Sequence, residues 1–348
     1  MGCLIGVVDG LFKSFIFYLF FVLNLFAIES LPEIDYEYFN KDKSDLVDLM
    51  RFLGEFDFQT ILKDRRLFIG IRNLKDFKNV QGLNFDDINR IKKINPIGII
   101  LFRENLKDAE QTKGLINAIK SHIGHDIFIA IDEEGGIVSR ASENKKMGVY
   151  NFPAMEYVGD VKDLHLIYKI GEVLAKQLRR LGINLNMAPV ADIKFIPHTP
   201  LLNRTFGGYS AYNIGLMVEA FIDGMQNHGV FSAIKHFPGL GGATTDTHKY
   251  LAFLPYSKSF LMLNNFVPFV FGKTSKFIMI GHANVPKISK DITSMSKSIV
   301  NIIRENLNIT SIMITDSYNM GAITRSFSNI ENAIKKSLSS GINIVLIP

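Results

Sequence analysis

Short, strongly apolar runs recur along the chain at 67–71 (LFIGI), 98–102 (GIILF), 127–131 (IFIAI), 184–190, 231–234, 277–280 (FIMI), 311–314 (SIMI) and 342–347 (INIVLI). Runs this short, rich in Ile and Phe and without polar alternation, suit strands covered on both faces. Between them, apolar residues return at helical spacing over 85–94, 109–123, 164–181, 211–228, 296–307 and 330–338. Gly182, Gly229 and Gly341 stand just ahead of the next strand, where helices commonly end. The stretch 251–273 breaks the rhythm and reads as a loop with a short helix. Alternating helices with eight strands predict a (β/α)8 barrel of the TIM type over residues 67–348, with a doubly wound sheet as the other arrangement of the same elements.

Upstream, the pattern changes. Residues 14–28 (SFIFYLFFVLNLFAI) are continuously apolar and follow Lys13. The run is shorter than the roughly 20 residues of a spanning helix and long enough for a signal-peptide core. Residues 1–30 are therefore expected to be a signal peptide or an N-terminal membrane anchor, with the protein exported or held at the cell envelope. Asp9 and the lack of an A-x-A site are unusual for a signal, and a buried helix is the alternative. Residues 31–66 read as a polar linker followed by a helix over 46–62, with Leu46, Leu49, Phe52 and Leu53 on one face.

Composition removes several classes of function. The formal charge of +5 comes from Lys and Arg scattered along the whole chain, so no nucleic-acid footprint is present. Cys3 is the one cysteine, which excludes an internal disulfide and a cysteine-based metal cluster.

Active sites of such barrels lie at the C-terminal ends of the strands. Polar residues gather there: Arg103 after the second run, Asp132, Glu133, Glu134 and Arg140 after the third, Asp192 after the fourth, Lys235 and His236 after the fifth, His282 after the sixth and Asp316 after the seventh. The opposite approaches, such as Asn95-Pro96-Ile97, are bland. The fifth region is the densest, AIKHFPGLGGATTDTHKYL over 233–251. Its glycines and Pro238 predict a mobile loop that delivers Asp246 and His248. An Asp two residues from a His can fix the imidazole tautomer for proton transfer. A simply solvated Asp-x-His loop and a metal site of His236, Asp246 and His248 are the other readings of the same residues.

Five segments, AIDEEGGIVSR (130–140), NMAPVADI (186–193), NRTFGG (203–208), KHFPGLGGATTDTH (235–248) and ITDSYNMGAI (314–323), together resemble glycoside hydrolase family 3, in its single-domain β-N-acetylhexosaminidase branch. The resemblance implies that Asp316 is a nucleophile and His248 the acid/base, with Asp246 orienting it. Asp132, Arg140, Arg204, Lys235 and His236 are implied to hold the hydroxyls of the terminal sugar. It implies retaining hydrolysis of a carbohydrate with terminal β-linked N-acetylglucosamine, with peptidoglycan fragments favoured, and neither cofactor nor metal. Taken alone, Asp316 could instead cap the helix after it. A sugar-binding envelope protein without turnover, or phosphorolysis, are the alternatives in function.

The sequence departs from that family at Leu240, where a polar residue is usual, at Asn203, where an Asp commonly supports the following Arg, and at Glu133, usually uncharged. Glu134 could serve as a salt-bridge partner rather than a sugar ligand. With Pro348 directly after the eighth strand, the barrel is expected to lack its final helix, leaving residues 46–62 or a partner chain to cover that strand.

Overall fold

The computed structural model describes residues 65–71, 81–123, 126–208 and 210–348. The expected N-terminal signal or anchor, the linker and the helix at 46–62 lie outside the described residues. Eight parallel strands close into a barrel: β1 (Leu67–Gly70), β2 (Gly98–Leu101), β3 (Phe128–Ile131), β4 (Leu185–Asn186), β5 (Phe231–Phe237), β6 (Phe277–Ile280), β7 (Ile312–Ser317) and β8 (Ile344–Ile347). Each pairs with its neighbours in sequence, and β8 returns to β1 through Leu67↔Val345. The expected (β/α)8 barrel is the observed fold, and the doubly wound alternative is not.

Helices α1 (Phe85–Ile94), α2 (Ala109–Ile123), α3 (Leu164–Leu181), α4 (Ala211–Gln226), α5 (Lys297–Asn301) and α6 (Ile330–Ser340) fall where the spacing predicts them. Their ends follow local chemistry. Asn84 and Asp87 form a reciprocal capping box on α1. Gly182 and Gly341 end α3 and α6 in left-handed conformations that favour glycine. Helix α4 stops earlier than expected, at Gln226, and Gly229 takes its left-handed turn in the loop beyond. Helix α5 is not one regular helix to residue 307: it widens into a π turn over Ile302–Asn306. In place of a long helix between β5 and β6 stand two short ones, Lys258–Leu263 and Val267–Phe271.

Aromatic rings plug the end of the barrel remote from the strand tips. Phe128, Phe231 and Phe277 are the first residues of their strands, and Phe128 packs edge-on against Phe277 at 5.1 Å and Phe231 at 5.9 Å. Phe68 stacks on Phe128 at 6.3 Å. Above them Ala130, Met187, Ala233, Met279, Ile314 and Leu346 continue the buried interior. Phe68 sits opposite Gly98 in the β1–β2 ladder, and a Cβ at Gly98 would lie 2.0 Å from its ring tip. The glycine thus makes the space the plug needs.

Two strands run further than hydrophobicity predicts, and one is shorter. Strand β5 continues through Lys235, His236 and Phe237, all buried, because Asp132 after β3 neutralises the Lys235 ammonium and Asp192 after β4 takes a bond from His236 Nδ1. Strand β7 continues to Ser317 and so carries Asp316 in its tip. Strand β4 keeps only two ladder residues, since Pro189 has no N–H to donate and only a bridge from Val190 to Lys235 follows.

Gly98→Ala should force the Phe68 ring into its neighbours and destabilise the fold by about 1–3 kcal/mol. Urea unfolding checks this, and Phe68→Leu in the same chain should recover part of the loss.

Candidate active site

The tips of β3, β4 and β5 bring buried charges into one row. Lys235, on β5, donates from Nζ to Asp132 Oδ1 at 2.8 Å and lies 2.5 Å from Glu134 Oε1. Arg204 grips Glu134 with two bonds, Nε to Oε2 at 2.8 Å and Nη2 to Oε1 at 2.9 Å. The same Nη2 is 3.4 Å from His236 Nε2. His236 Nδ1 donates to Asp192 Oδ2 at 2.7 Å, because a carboxylate can only accept, which leaves Nε2 to face Arg204. The backbone N–H of Leu240 closes the row on Asp192 Oδ1 at 2.7 Å.

The electrostatics follow from this pairing. Burial alone would raise Glu134, but Arg204 and Lys235 on either side hold it far below its ordinary value of 4.5. Burial likewise disfavours the charged forms of Lys235 and Arg204, and their carboxylate partners reverse the effect and push both upward. Glu134 is thus the salt-bridge partner of two cations, not a group left over for a sugar. It also supplies the support that Asn203 does not give to Arg204.

Glu133 points the other way. Its carboxylate accepts from Ser142 Oγ at 2.5 Å and from the backbone N–H of Ala141 at 2.7 Å, while its backbone pairs with the Asn186 side chain. Burial raises its pKa against those bonds. It therefore ties down the loop that carries Arg140. Arg140 donates its backbone N–H to the Asp132 carbonyl at 3.2 Å, and its buried Nε has no hydrogen-bond partner among the described residues.

Asp316 lies beyond the last regular pair of β7 with β6, Thr315↔Ile280. Its Oδ1 accepts from the backbone N–H of Ser317 at 2.7 Å, and the next helix, Gly321–Thr324, is capped at Met320, so Asp316 is not a helix cap. Burial would raise its carboxyl, yet the neighbouring His236, with the Ser317 N–H and His248, holds it below the usual carboxylate value. It is a carboxylate at neutral pH.

The acid/base candidate comes from a loop. Asp246 Oδ1 accepts from His248 twice, from the backbone N–H at 2.9 Å and from Nδ1 at 3.0 Å. Burial raises Asp246, and these bonds more than offset it, so its carboxyl is lowered. The His248 side chain is 71% exposed, which leaves Nε2 accessible. The loop is docked on the turn that follows Asp316: Gly321 and Ala322 donate backbone N–H groups to the carbonyls of His248 at 2.9 Å and Thr247 at 3.2 Å. A Cβ at Gly321 would lie 2.2 Å from the Lys249 carbonyl, so only glycine permits this approach. Arg325 adds a bond to that carbonyl at 3.0 Å and lies over the Tyr250 ring at 4.9 Å.

All eight residues singled out from the sequence are thus carried by strand tips or the loops that follow them. The metal reading fails on geometry: His236 is turned inward to Asp192 while Asp246 and His248 pair with each other. Among the described residues no group of three or more His, Cys, Asp or Glu side chains is placed to hold an ion. Sequence reasoning placed Asp192, Glu133 and His282 at strand ends without giving them roles. Asp192 meets His236 from 44 positions away, and the Glu133 carboxylate turns to Ala141 and Ser142 in its own loop, so strand-end position was the signal available.

Residues 74–348 match the Glycosyl hydrolase family 3 N terminal domain. The chain belongs to this family. It is 28% identical over 285 residues to beta-hexosaminidase A of Pseudoalteromonas piscicida, covering 72% of this chain and 45% of that protein. Against the beta-hexosaminidase of Nitrosomonas eutropha it is 27% identical over 280 residues, covering 77% of this chain and 79% of that one. Among solved structures, a family 3 beta-N-acetylglucosaminidase from Paenibacillus superposes with a TM-score of 0.75 at 26% identity, over 84% of this chain and 55% of that one. NagZ from Neisseria gonorrhoeae, in complex with N-trifluoroacetyl-D-glucosamine, superposes with a TM-score of 0.72 at 26% identity, over 81% of each chain. The chain therefore spans about half the length of some relatives and most of others.

Glu134→Ala should leave Lys235 with Asp132 and take from Arg204 its two-bond partner, and cost about 3–5 kcal/mol in urea unfolding at neutral pH. Because the folded-state pKa of Glu134 is depressed, its contribution is full above its ordinary 4.5 and is lost as pH falls below that toward the folded-state value. The gap between wild type and Glu134→Ala should accordingly narrow when unfolding is measured near pH 3.

Proposed function

We propose that the protein is a retaining exo-β-N-acetylhexosaminidase that removes terminal β-linked N-acetylglucosamine, with peptidoglycan fragments as substrates. The observation that carries this reading is the docking of the His248 loop on the turn after Asp316, which brings an accessible imidazole close to a half-buried carboxylate. The names of relatives in the same family, and the glucosamine analogue bound to the Neisseria protein, support the choice of sugar.

The sugar hydroxyls would bind along Asp132, Arg140, Arg204, Lys235 and His236, where donors and an acceptor are already fixed in place. Asp316 attacks the anomeric carbon and forms an ester as the glycosidic C–O bond breaks. His248, as an imidazolium whose Nδ1–H is held by Asp246, delivers its Nε2 proton to the departing oxygen. In the second half Nε2 takes a proton from water as that water displaces Asp316. Because His248 is mostly exposed, its loop closes over bound sugar before the proton is transferred, excluding water as lids do. Export to the cell envelope, with residues 1–30 as signal or anchor, places such an enzyme beside its polymer.

Purified protein should release p-nitrophenol from the β-N-acetylglucosaminide, equally with and without added phosphate; a strict phosphate requirement would show phosphorolysis instead. Asp316→Ala should lower kcat by roughly 10⁴-fold or more. For His248→Ala, kcat/KM should fall about 10²–10⁴-fold with a sugar leaving group and much less with p-nitrophenolate, which departs without a proton. Near-wild-type turnover by Asp316→Ala would sink the reading.

A further inference from the structure

His282 is wholly buried at the tip of β6, beside Asp316, and has no part in the chemistry above. Its setting is specific. The flanking backbone is clamped by Thr293, whose hydroxyl donates to the Gly281 carbonyl and accepts from the Ala283 N–H at 2.9 Å. The ring spans two partners: Nε2 lies 3.1 Å from the Ser317 carbonyl and Nδ1 2.8 Å from Ser294 Oγ. A carbonyl can only accept, so the proton sits on Nε2. Burial pushes the ring's pKa down, so a neutral ring with Nδ1 accepting from Ser294 satisfies both bonds. The edge of the Tyr318 ring packs against it at 5.6 Å, and the Ser337 hydroxyl, bonded to Tyr318 Oη, donates to the Ser294 carbonyl at 2.6 Å.

The backbone around Asp316 needs such a tie. Pairing of β7 with β8 shifts register between Ile314 and Ser317, and pairing with β6 ends at Thr315. At Asp316 the strand has left the regular ladder on both sides. The next anchors are the bond from His282 to the Ser317 carbonyl and the Tyr318 N–H to the Leu346 carbonyl at 3.0 Å. On the reading that Asp316 is the nucleophile, we infer that His282 is a positioning residue, which fixes the carboxylate's attack direction through the Ser317 carbonyl, with Ser294 holding its tautomer.

A misplacement of about 1 Å at a reacting atom can cost roughly 10²-fold in rate. His282→Leu, which fills the site without a donor, should lower kcat on the aryl β-N-acetylglucosaminide by about that factor. The Kd for N-acetylglucosamine, measured by calorimetry, should stay within about twofold. His282→Gln, whose amide N–H can reach the Ser317 carbonyl, should regain about tenfold. Ser294→Ala, which leaves the ring in place, should lose several-fold in kcat and show mixed tautomers. In ¹⁵N-histidine spectra of the wild type, His282 should be protonated at Nε2 and not at Nδ1.

A Leu variant as active as wild type, a Gln variant no better than Leu, or a proton on Nδ1 would each overturn the inference. If His282→Leu fails to fold, the Gln and Ser294→Ala variants and the spectra still decide it. If the wild type releases no p-nitrophenol, it is the proposed function that has failed. The tautomer, and the ¹³C signal of the Asp316 carboxyl, which His282→Leu should move and His282→Gln restore, then judge the positioning role alone.

Discussion

Two cations, Lys235 and Arg204, are drawn into the barrel's mouth, and the arrangement of that mouth depends on the one carboxylate between them. Removing a charge from water costs several kcal/mol even after relaxation, and is tolerated only when the pairing is close and the remaining hydrogen bonds are made. Glu134 meets that demand with both oxygens: Oε1 serves Lys235 and Arg204, and Oε2 serves Arg204 again. It is therefore scaffold. Asp132 meets Lys235 through Oδ1 and is the more exposed of the two carboxylates, at 17% against 1%, so it is the acceptor turned to the opening. Donors and acceptor are fixed before any ligand arrives, which spares the cost of ordering them on binding.

The two groups assigned to bond making and proton transfer are held in different ways. Asp316 issues from the tip of a barrel strand, with charge partners beneath it and a backbone tied to the neighbouring strands. His248 hangs from a loop whose base is fixed by the Leu240 N–H on Asp192 and whose far part is held by a few backbone bonds to the segment just past Asp316. A nucleophile must keep its direction; a group that serves first as acid and then as base must approach and withdraw as leaving group and water exchange. Attaching the loop to residues 321–325 ties the second group to the first without making it rigid.

Most of the fold was legible because buried parallel strands leave runs that need no alternation to be seen, and because caps such as Gly182 mark the helix ends. Where the reading fell short, charge was the reason. Strand β5 was ended at Ile234 because Lys235 follows, yet the strand continues, since the charge is neutralised by residues about a hundred positions away. Hydrophobicity cannot register a partner at that distance. The candidate site was legible as a set of strand-end polar residues, to which the family resemblance attached expected roles. What separates Asp132 from Glu134, or gives Glu133 its hold on the Arg140 loop, is visible only as which oxygen meets which hydrogen.

The same distinction explains how the site accommodates its departures. At residue 240 the group that matters is the backbone N–H, donated to Asp192 and hence to the orientation of His236. That bond is indifferent to the side chain, and the leucine is free to pack: a Cβ at Gly281 would lie 3.3 Å from its Cδ1, so the apolar side chain covers the tip of β6 just before His282. At residue 203 the support expected of a carboxylate comes from Glu134 across the mouth, and Asn203 accepts the Glu156 N–H through its backbone carbonyl instead. At residue 240 the main chain supplies the bond and at residue 203 the Glu134 side chain does, so the charges that would meet a sugar keep their partners.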